Sequence, residues 1–272
     1  MISREDGKLA RTAVSALLEQ LALAPQPGLP DPRDLAVRAT GRDHRALLWS
    51  AQALVPGLAA MAAAARRTGA PTPALCAELR AIGRCTEHTV NLAGGGHQGA
   101  LWTLGLLTAA TALGPSAQGT RITDTAKQLA AHRDHSAFRH PSHGSAMAAT
   151  YGAAGARGEA RAGFPHIRRA LTALRTARTA GATESQARLD ALLTVMATLQ
   201  DTELLYTAGP AGLRQVQTGA RTVLEAGGTA APAGAEALTA LDADLRARSW
   251  SPRGSTGLLA GALFLDALTS GR

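Results

Sequence analysis

Apolar residues recur at helical spacing along most of this chain. Across residues 8–24, KLARTAVSALLEQLALA, the side chains of Leu9, Ala13, Ala16, Leu17, Leu21 and Leu23 fall near one side of a helix. Pro25, Pro27, Pro30 and Pro32 end it, because each lacks an N–H and fixes φ. The loop they build closes on the acidic residues Asp31 and Asp34. Helical periodicity resumes over 43–67, with Pro56-Gly57 expected to kink or break it. Pro71-Thr72-Pro73 is a short turn, and Pro73 opens a helix over 74–92 that carries Leu79, Ile82 and Val90 on its apolar side and Glu87 within it.

Gly94-Gly95-Gly96-His97-Gln98-Gly99 then leads into the strongly apolar ALWTLGLLTAATAL. A triple glycine feeding a buried helix can cradle an anion, since free N–H groups at a helix N-terminus attract phosphate. The stretch lacks the Lys and Ser/Thr of a P-loop and follows a helix rather than a strand, so a tight interhelical turn explains it as well. Residues 115–150 read as a polar, irregular flap. It holds His132, His135, His140 and His143, whose i, i+3 pairs could bind a metal, although only Asp134 adds a carboxylate nearby.

Two helices are expected over 166–180 and 184–206. Asp201-Thr202 falls toward the C-terminal end of the second, where a carboxylate opposes the helix dipole and so points to a functional role. Gly209-Pro210 breaks the pattern, AGLRQVQTGARTVLEAGG restarts and ends it, and a further helix covers 233–248. Trp250 to Gly257 is a polar break before the apolar LLAGALFLDAL. With no hairpin signal and no alternating β-branched run, the pattern predicts an all-α fold. It forms a single domain over 1–272 of about ten or more helices, with the functional residues on the Gly-rich breaks.

The most unusual break is Tyr151 to Pro165, YGAAGARGEARAGFP. Glycine costs about 1 kcal/mol in a helix relative to alanine, so glycines at 152, 155, 158 and 163 argue for backbone that turns or closely approaches something. Arg157 and Glu159, held on that backbone around Gly158, could face a ligand or pair with each other.

Composition narrows the function. Apolar residues are 46% and charged residues 18%, a globular balance, and with 3% aromatics the core must be built from Leu, Ala and Val. The net charge is +8 and the pI about 10.8, which suits a polyanionic partner. The basic residues are scattered single arginines and stacking aromatics are scarce, which weakens the nucleic-acid reading; a nucleotide or other phosphorylated ligand fits the charge about as well, a solvated basic surface explains it too, and no nucleic-acid partner is expected. Cys76 and Cys85 lie on one helix without metal-type spacing. No targeting segment and no apolar run of membrane-spanning length is apparent, so the expectation is a cytoplasmic protein with no membrane partner, in an oligomeric state that leaves room for a homodimer.

Several punctuations in one order resemble the triphosphoribosyl-dephospho-coenzyme A synthase family. They are Pro25-Gln26-Pro27-Gly28-Leu29 with Asp31, and His97-Gln98-Gly99-Ala100. Further along come Gly155-Ala156-Arg157-Gly158-Glu159-Ala160 with Gly163-Phe164-Pro165, then Asp201-Thr202, then Ser251-Pro252-Arg253-Gly254-Ser255, and Glu87 matches as well. The resemblance implies an all-α transferase in which a ribose hydroxyl of dephospho-coenzyme A displaces adenine from C1′ of ATP. Such a step needs a stabilised leaving base, a carboxylate beside the oxocarbenium-like centre, and charge neutralisation on the triphosphate. The resemblance implies Glu159 as the carboxylate nearest the ribose, His97 and Glu87 as further catalytic groups, and Asp31 and Asp201 as ligands of Mg²⁺. Phosphate contacts would come from Gly94, Gly95, Gly96, Gln98, Gly99, Arg157, Gly158, Ser251, Arg253 and Ser255.

Departures from the family pattern fall on polar loops. Family members read Gly-Val-Asn-Thr-His-Lys-Gly where this chain has Ala93 to Gly99, so neutral Gln98 replaces a lysine. Gly41-Arg42-Asp43-His44-Arg45 departs from the family's Gly-x-His-x-Asp register. Glu203 follows Asp201-Thr202 where the family has Asn, and Ala208-Gly209 replaces Gly-Gly. The rival expectations are a ribosyltransferase acting on a different small-molecule acceptor in a specialised pathway, or a nucleotide-binding relative without turnover.

Overall fold

The computed structural model describes residues 1–33, 44–114, 119–132 and 143–270, and every regular element among them is an α-helix. In chain order these are α1 (Arg4–Leu21), α2 (His44–Gln52), α3 (Leu54–Thr68), α4 (Pro73–Leu92), α5 (Gln98–Leu113), α6 (Gly119–Ala131) and α7 (His143–Tyr151). They continue as α8 (Gly155–Arg161), α9 (Pro165–Thr179), α10 (Glu184–Met196), α11 (Thr202–Glu225), α12 (Pro232–Ala247) and α13 (Arg253–Ser270).

The core forms around α5 and α13, the two helices whose sequences are apolar on nearly every side. They pack on each other; α1, α3 and α6 cover α5, while α1, α9 and α10 cover α13. Close approach depends on small residues. An alanine methyl at Gly257 would stand 3.0 Å from the Ala100 amide nitrogen, and one at Gly261 would stand 2.6 Å from Ile167 Cδ1. Phe164, Phe264, Leu104 and Leu107 are fully buried in this layer, where truncating a phenylalanine to alanine costs about 3–5 kcal/mol.

Local chemistry explains where several helices differ from the sequence expectation. The break in 43–67 comes at Ala53, not at Pro56-Gly57: the Pro56 ring excludes the carbonyl four residues earlier, at Gln52, so α2 stops there and Pro56 sits in the first turn of α3. The 115–150 segment contains α6 and α7, whose polar sequences are solvated helix faces rather than an irregular flap. Asp134, His135 and His140 lie outside the described residues, as do Asp34 and Gly41 to Asp43.

The helix expected over 184–206 ends at Met196, and a new helix begins at Thr202 with Asp201 as its N-cap. Asp201 therefore lies at the favourable end of a dipole, the reverse of the sequence expectation. Gly209, with φ +67 and ψ −177, interrupts α11 ahead of Pro210, as the sequence suggested. The 25 residues His44–Thr68 do reach membrane-spanning length and hydropathy. They are two helices whose buried faces, including Leu47, Leu54 and Leu58, line the core.

Candidate active site at the junction of helix starts

Asp201 is the hinge of the candidate site. Its Oδ1 accepts the amides of Glu203 and Leu204 at 2.9 and 3.3 Å, and its Oδ2 accepts the amide of Gly254 at 2.8 Å. One buried carboxylate thus joins the first turns of α11 and α13. Burial pushes the Asp201 carboxyl up to about 6, against the pull of its amide donors. The start of α13 also abuts the start of α5, where Gly257 lies against Gly99 and Ala100. The start of α8 abuts that of α11: a methyl at Gly155 would stand 3.3 Å from Thr202 Cγ2. Four helix starts meet here, three of them drawn from a Gly-rich or Ser-Pro break and that of α11 from the Leu199-Gln200-Asp201 turn.

Their caps differ. Ser3, Thr72, Thr183 and Asp201 cap α1, α4, α10 and α11 with side-chain oxygens, whereas α5 and α8 have no side-chain cap. The first-turn amides of Gln98, Gly99 and Ala100 in α5 have no carbonyl one turn earlier, which leaves them for a ligand or water. Gly94, Gly95 and Gly96 hold φ of +115, +72 and +104, a run that only glycine adopts without strain. The amides of Gly94 and Gly95 are used to close α4, donating to Asn91 O and Val90 O. The triple glycine is therefore a turn that ends α4 and aims α5.

His97 faces away from the junction, toward α2. Its Nε2 lies 2.9 Å from Leu47 O and 3.0 Å from Ser50 Oγ, and Ser50 donates to Gly95 O at 3.1 Å. Glu87 and Gln98, treated separately in the sequence, are hydrogen-bonded partners: Gln98 Nε2 donates to Glu87 Oε1 beside the α5 start. Ser251 Oγ and Ser255 Oγ are buried and have no hydrogen-bond partner among the described residues, a costly state for a hydroxyl unless something else satisfies it.

Glu159 is buried between α8 and α9. Its Oε1 accepts the His166 amide and its Oε2 accepts His166 Nδ1–H, both at 2.8 Å, while His166 Nε2 is buried without a partner among the described residues. The bond to His166 N does for α9 what a capping residue would. Phe164, at the N-cap position, has left-handed dihedrals and no side-chain cap. Arg157 is exposed on α8, and Gly158 lies within that helix, its amide bonded to Ala154 O.

Asp31 belongs to a different arrangement. It is fully buried and takes bonds from Arg33 Nη2 at 2.5 Å and Arg246 Nη2 at 3.1 Å, while Asp242 binds the same two arginines at 2.7 and 2.8 Å. Burial raises its carboxyl, but the Arg33 guanidinium and the Gln26 and Arg33 amides outweigh it and hold the group below the usual carboxylate range. This network fastens the 25–33 loop to α12. Among the described residues, no group of three or more His, Cys, Asp or Glu is placed to hold a metal ion.

The model of the ATP:dephospho-CoA triphosphoribosyl transferase family matches residues 6–272. The chain belongs to this family. It is 44% identical over 268 residues to a protein of Stutzerimonas stutzeri (strain A1501) named "Probable 2-(5''-triphosphoribosyl)-3'-dephosphocoenzyme-A synthase", covering 96% of this chain and 92% of that one. Proteins of the same name from Pseudomonas putida and Azotobacter vinelandii (strain DJ / ATCC BAA-1303) are 43% and 42% identical. Those matches cover 95% and 96% of this chain, and 93% and 91% of the relatives. No solved structure gives a significant match.

As a member of the triphosphoribosyl transferase family, the chain brings four groups to this junction in pairings that its sequence did not mark. Glu203 pairs with His143 Nδ1 at 2.8 Å and stands 3.9 Å from Arg253 Nη1; His143 stacks on Tyr206; His166 binds Glu159. The Phe-Pro-His sequence placing His166 just inside α9 was the available signal for the last. Two open grooves lie elsewhere: one of about 770 Å³ runs between α9, α10 and the end of α11, and one of about 500 Å³ between α11 and α12. Neither is lined by the starts of α5 or α13.

Proposed function

We propose that this protein transfers the triphosphoribosyl group of ATP to a ribose hydroxyl of dephospho-CoA and releases adenine. Membership of the triphosphoribosyl transferase family along residues 6–272 carries this reading. In the reaction the C1′–N9 bond of ATP breaks and a C1′–O bond forms to the acceptor. The hydroxyl gives up its proton and the departing adenine takes one up, so no oxidant or reductant is needed.

The geometry supports specific roles. The first-turn amides of the exposed Gln98 and Gly99 sit at the positive end of the buried sixteen-residue α5 and suit an anionic phosphate. α8, at seven residues, is too short for a useful dipole, so its contribution is the exposed guanidinium of Arg157. The unpartnered hydroxyls of Ser251 and Ser255, beside Arg253, suit a further phosphate oxygen or a bound water. Gly94 to Gly96 and His97 hold the turn that aims α5, and Gly158 keeps α8 compact. Glu159 supplies negative charge for the oxocarbenium-like centre, with His166 fixing its orientation. Glu87, bonded to Gln98 at the α5 start, is the candidate base for the acceptor hydroxyl.

In this reading a carboxylate of the chain would help hold Mg²⁺, which when bound would neutralise charge on the triphosphate. Asp31 suits a cation poorly, because two guanidiniums already saturate it, and both oxygens of Asp201 are occupied by amides. Among the described carboxylates of this junction, Glu203 is partly exposed, and its Oε1, 3.9 Å from Arg253 Nη1 and not the oxygen bonded to His143, would be the one to reach the ion.

The test is liquid chromatography with mass spectrometry on the protein with ATP and Mg²⁺, with and without dephospho-CoA. Adenine and a triphosphoribosyl adduct in equal amounts are expected. Adenine without that adduct points to another acceptor, and ATP binding without adenine points to a relative that has lost turnover.

A further inference from the structure

Both tyrosines of this aromatic-poor chain are exposed, Tyr206 at 53%, while Phe164 and Phe264 are buried. Tyr206 is also not loose. The His143 ring stacks on it with centroids 3.7 Å apart and planes 12° from parallel. Glu203 accepts the His143 Nδ1–H at 2.8 Å, and Arg253 Nη1 lies 3.9 Å from the other Glu203 oxygen. The chain thus fixes a flat ring pair with ionic groups of the junction and leaves ring surface in water. Tyr206 lies one helical turn beyond Thr202, which touches the start of α8, and Tyr151 ends α7 just before that start.

We propose that the His143–Tyr206 stack is the platform on which an adenine ring lies. The proposal rests on the ribosyl-transfer reading and deepens it. Phosphate contacts leave the base unheld, so binding it needs a surface that meets its flat face. Aromatic rings supply such a surface through stacking, whichever base is presented. A ring already held by its neighbours loses little freedom when the base arrives. Two substrates of the reaction carry adenine, ATP and dephospho-CoA, and either could present it here.

Steady-state kinetics on Tyr206→Leu and Tyr206→Phe, with thermal melts to confirm folding, test this. In Tyr206→Leu the KM for one adenine-bearing substrate rises about tenfold, inhibition by free adenine weakens similarly, and kcat stays within about twofold. Tyr206→Phe restores the wild-type KM, and inhibition by inorganic triphosphate is unchanged in both variants. Whether the KM for ATP or for dephospho-CoA moves tells which adenine uses the platform. Unchanged KM values for both, in a wild-type background that releases adenine, overturn the platform and leave the transferase reading intact. A wild-type protein that neither binds ATP nor releases adenine overturns both.

Discussion

Gly254 donates its amide to Oδ2 of Asp201 over 2.8 Å, and this one bond joins the first turns of α13 and α11. A methyl group at 254 would stand 2.9 Å from the same oxygen. Gly254→Ala is therefore expected to destabilise the protein by about 1–3 kcal/mol, the usual range for overpacking. Urea unfolding measures it, and a loss below about 0.5 kcal/mol would mean that the two helix starts part without cost.

Asp201 also carries a pH signature. Its folded-state carboxyl, raised by burial to about 6 from an ordinary 3.8, binds a proton more readily than in the unfolded chain. Its contribution to stability is therefore most favourable below 3.8, declines as pH rises between 3.8 and 6, and is a constant cost above that. The span corresponds to about 3 kcal/mol. Asn remains a good N-cap, so the stability of Asp201→Asn relative to wild type should improve as pH rises from 4 to 7. Unfolding measured across that range checks it; a difference that is flat with pH would place the titration elsewhere.

Asp31→Ala should cost about 3 kcal/mol, because it strips Arg33 and Arg246 of a buried shared partner. The half-exposed Arg33 tempers that figure. The folded fraction should keep an unchanged dependence on Mg²⁺ concentration. A variant of normal stability that requires much more Mg²⁺ would instead make Asp31 a metal ligand.

Glu159→Gln separates chemistry from architecture. Gln keeps an acceptor for the His166 amide but loses the charge, so stability should fall by no more than about 1 kcal/mol while kcat drops about 10²–10³-fold. Single-turnover adenine release measures the chemical step directly. Equal activity in the variant would reduce Glu159 to a cap for α9.

The residues that punctuate the helices were legible in the sequence, because glycine and proline act locally. Pro25 to Pro32, Gly94 to Gly96 and Gly209-Pro210 all interrupt the backbone where their chemistry requires. The placement of Asp201 was not legible. Whether Asp-Thr ends one helix or begins the next depends on the turn after Met196, and the bonds to that turn come from far along the chain: Arg221 and Gln217 of α11 donate to Ala197 O and Leu199 O, and Gly254 of α13 donates to Asp201. The same holds for the partners of the candidate residues. Glu87 with Gln98, Glu159 with His166 and Glu203 with His143 each join two elements, and helical periodicity within one element carries no trace of such pairs. Asp31 looked like a ligand for the same reason: its arginine partner Arg246 lies on α12, far along the chain.

The central claim is that the ribose of ATP moves intact, with its phosphates, to the acceptor. ATP labelled with ¹³C at C1′, incubated with the protein, Mg²⁺ and dephospho-CoA, tests it most directly by mass spectrometry and NMR of the product. The expected product carries the label in a new glycosidic bond together with three phosphates, with one adenine released per adduct. Label retained in ADP or ATP, with dephospho-CoA unchanged or gaining only a phosphate, would contradict the account.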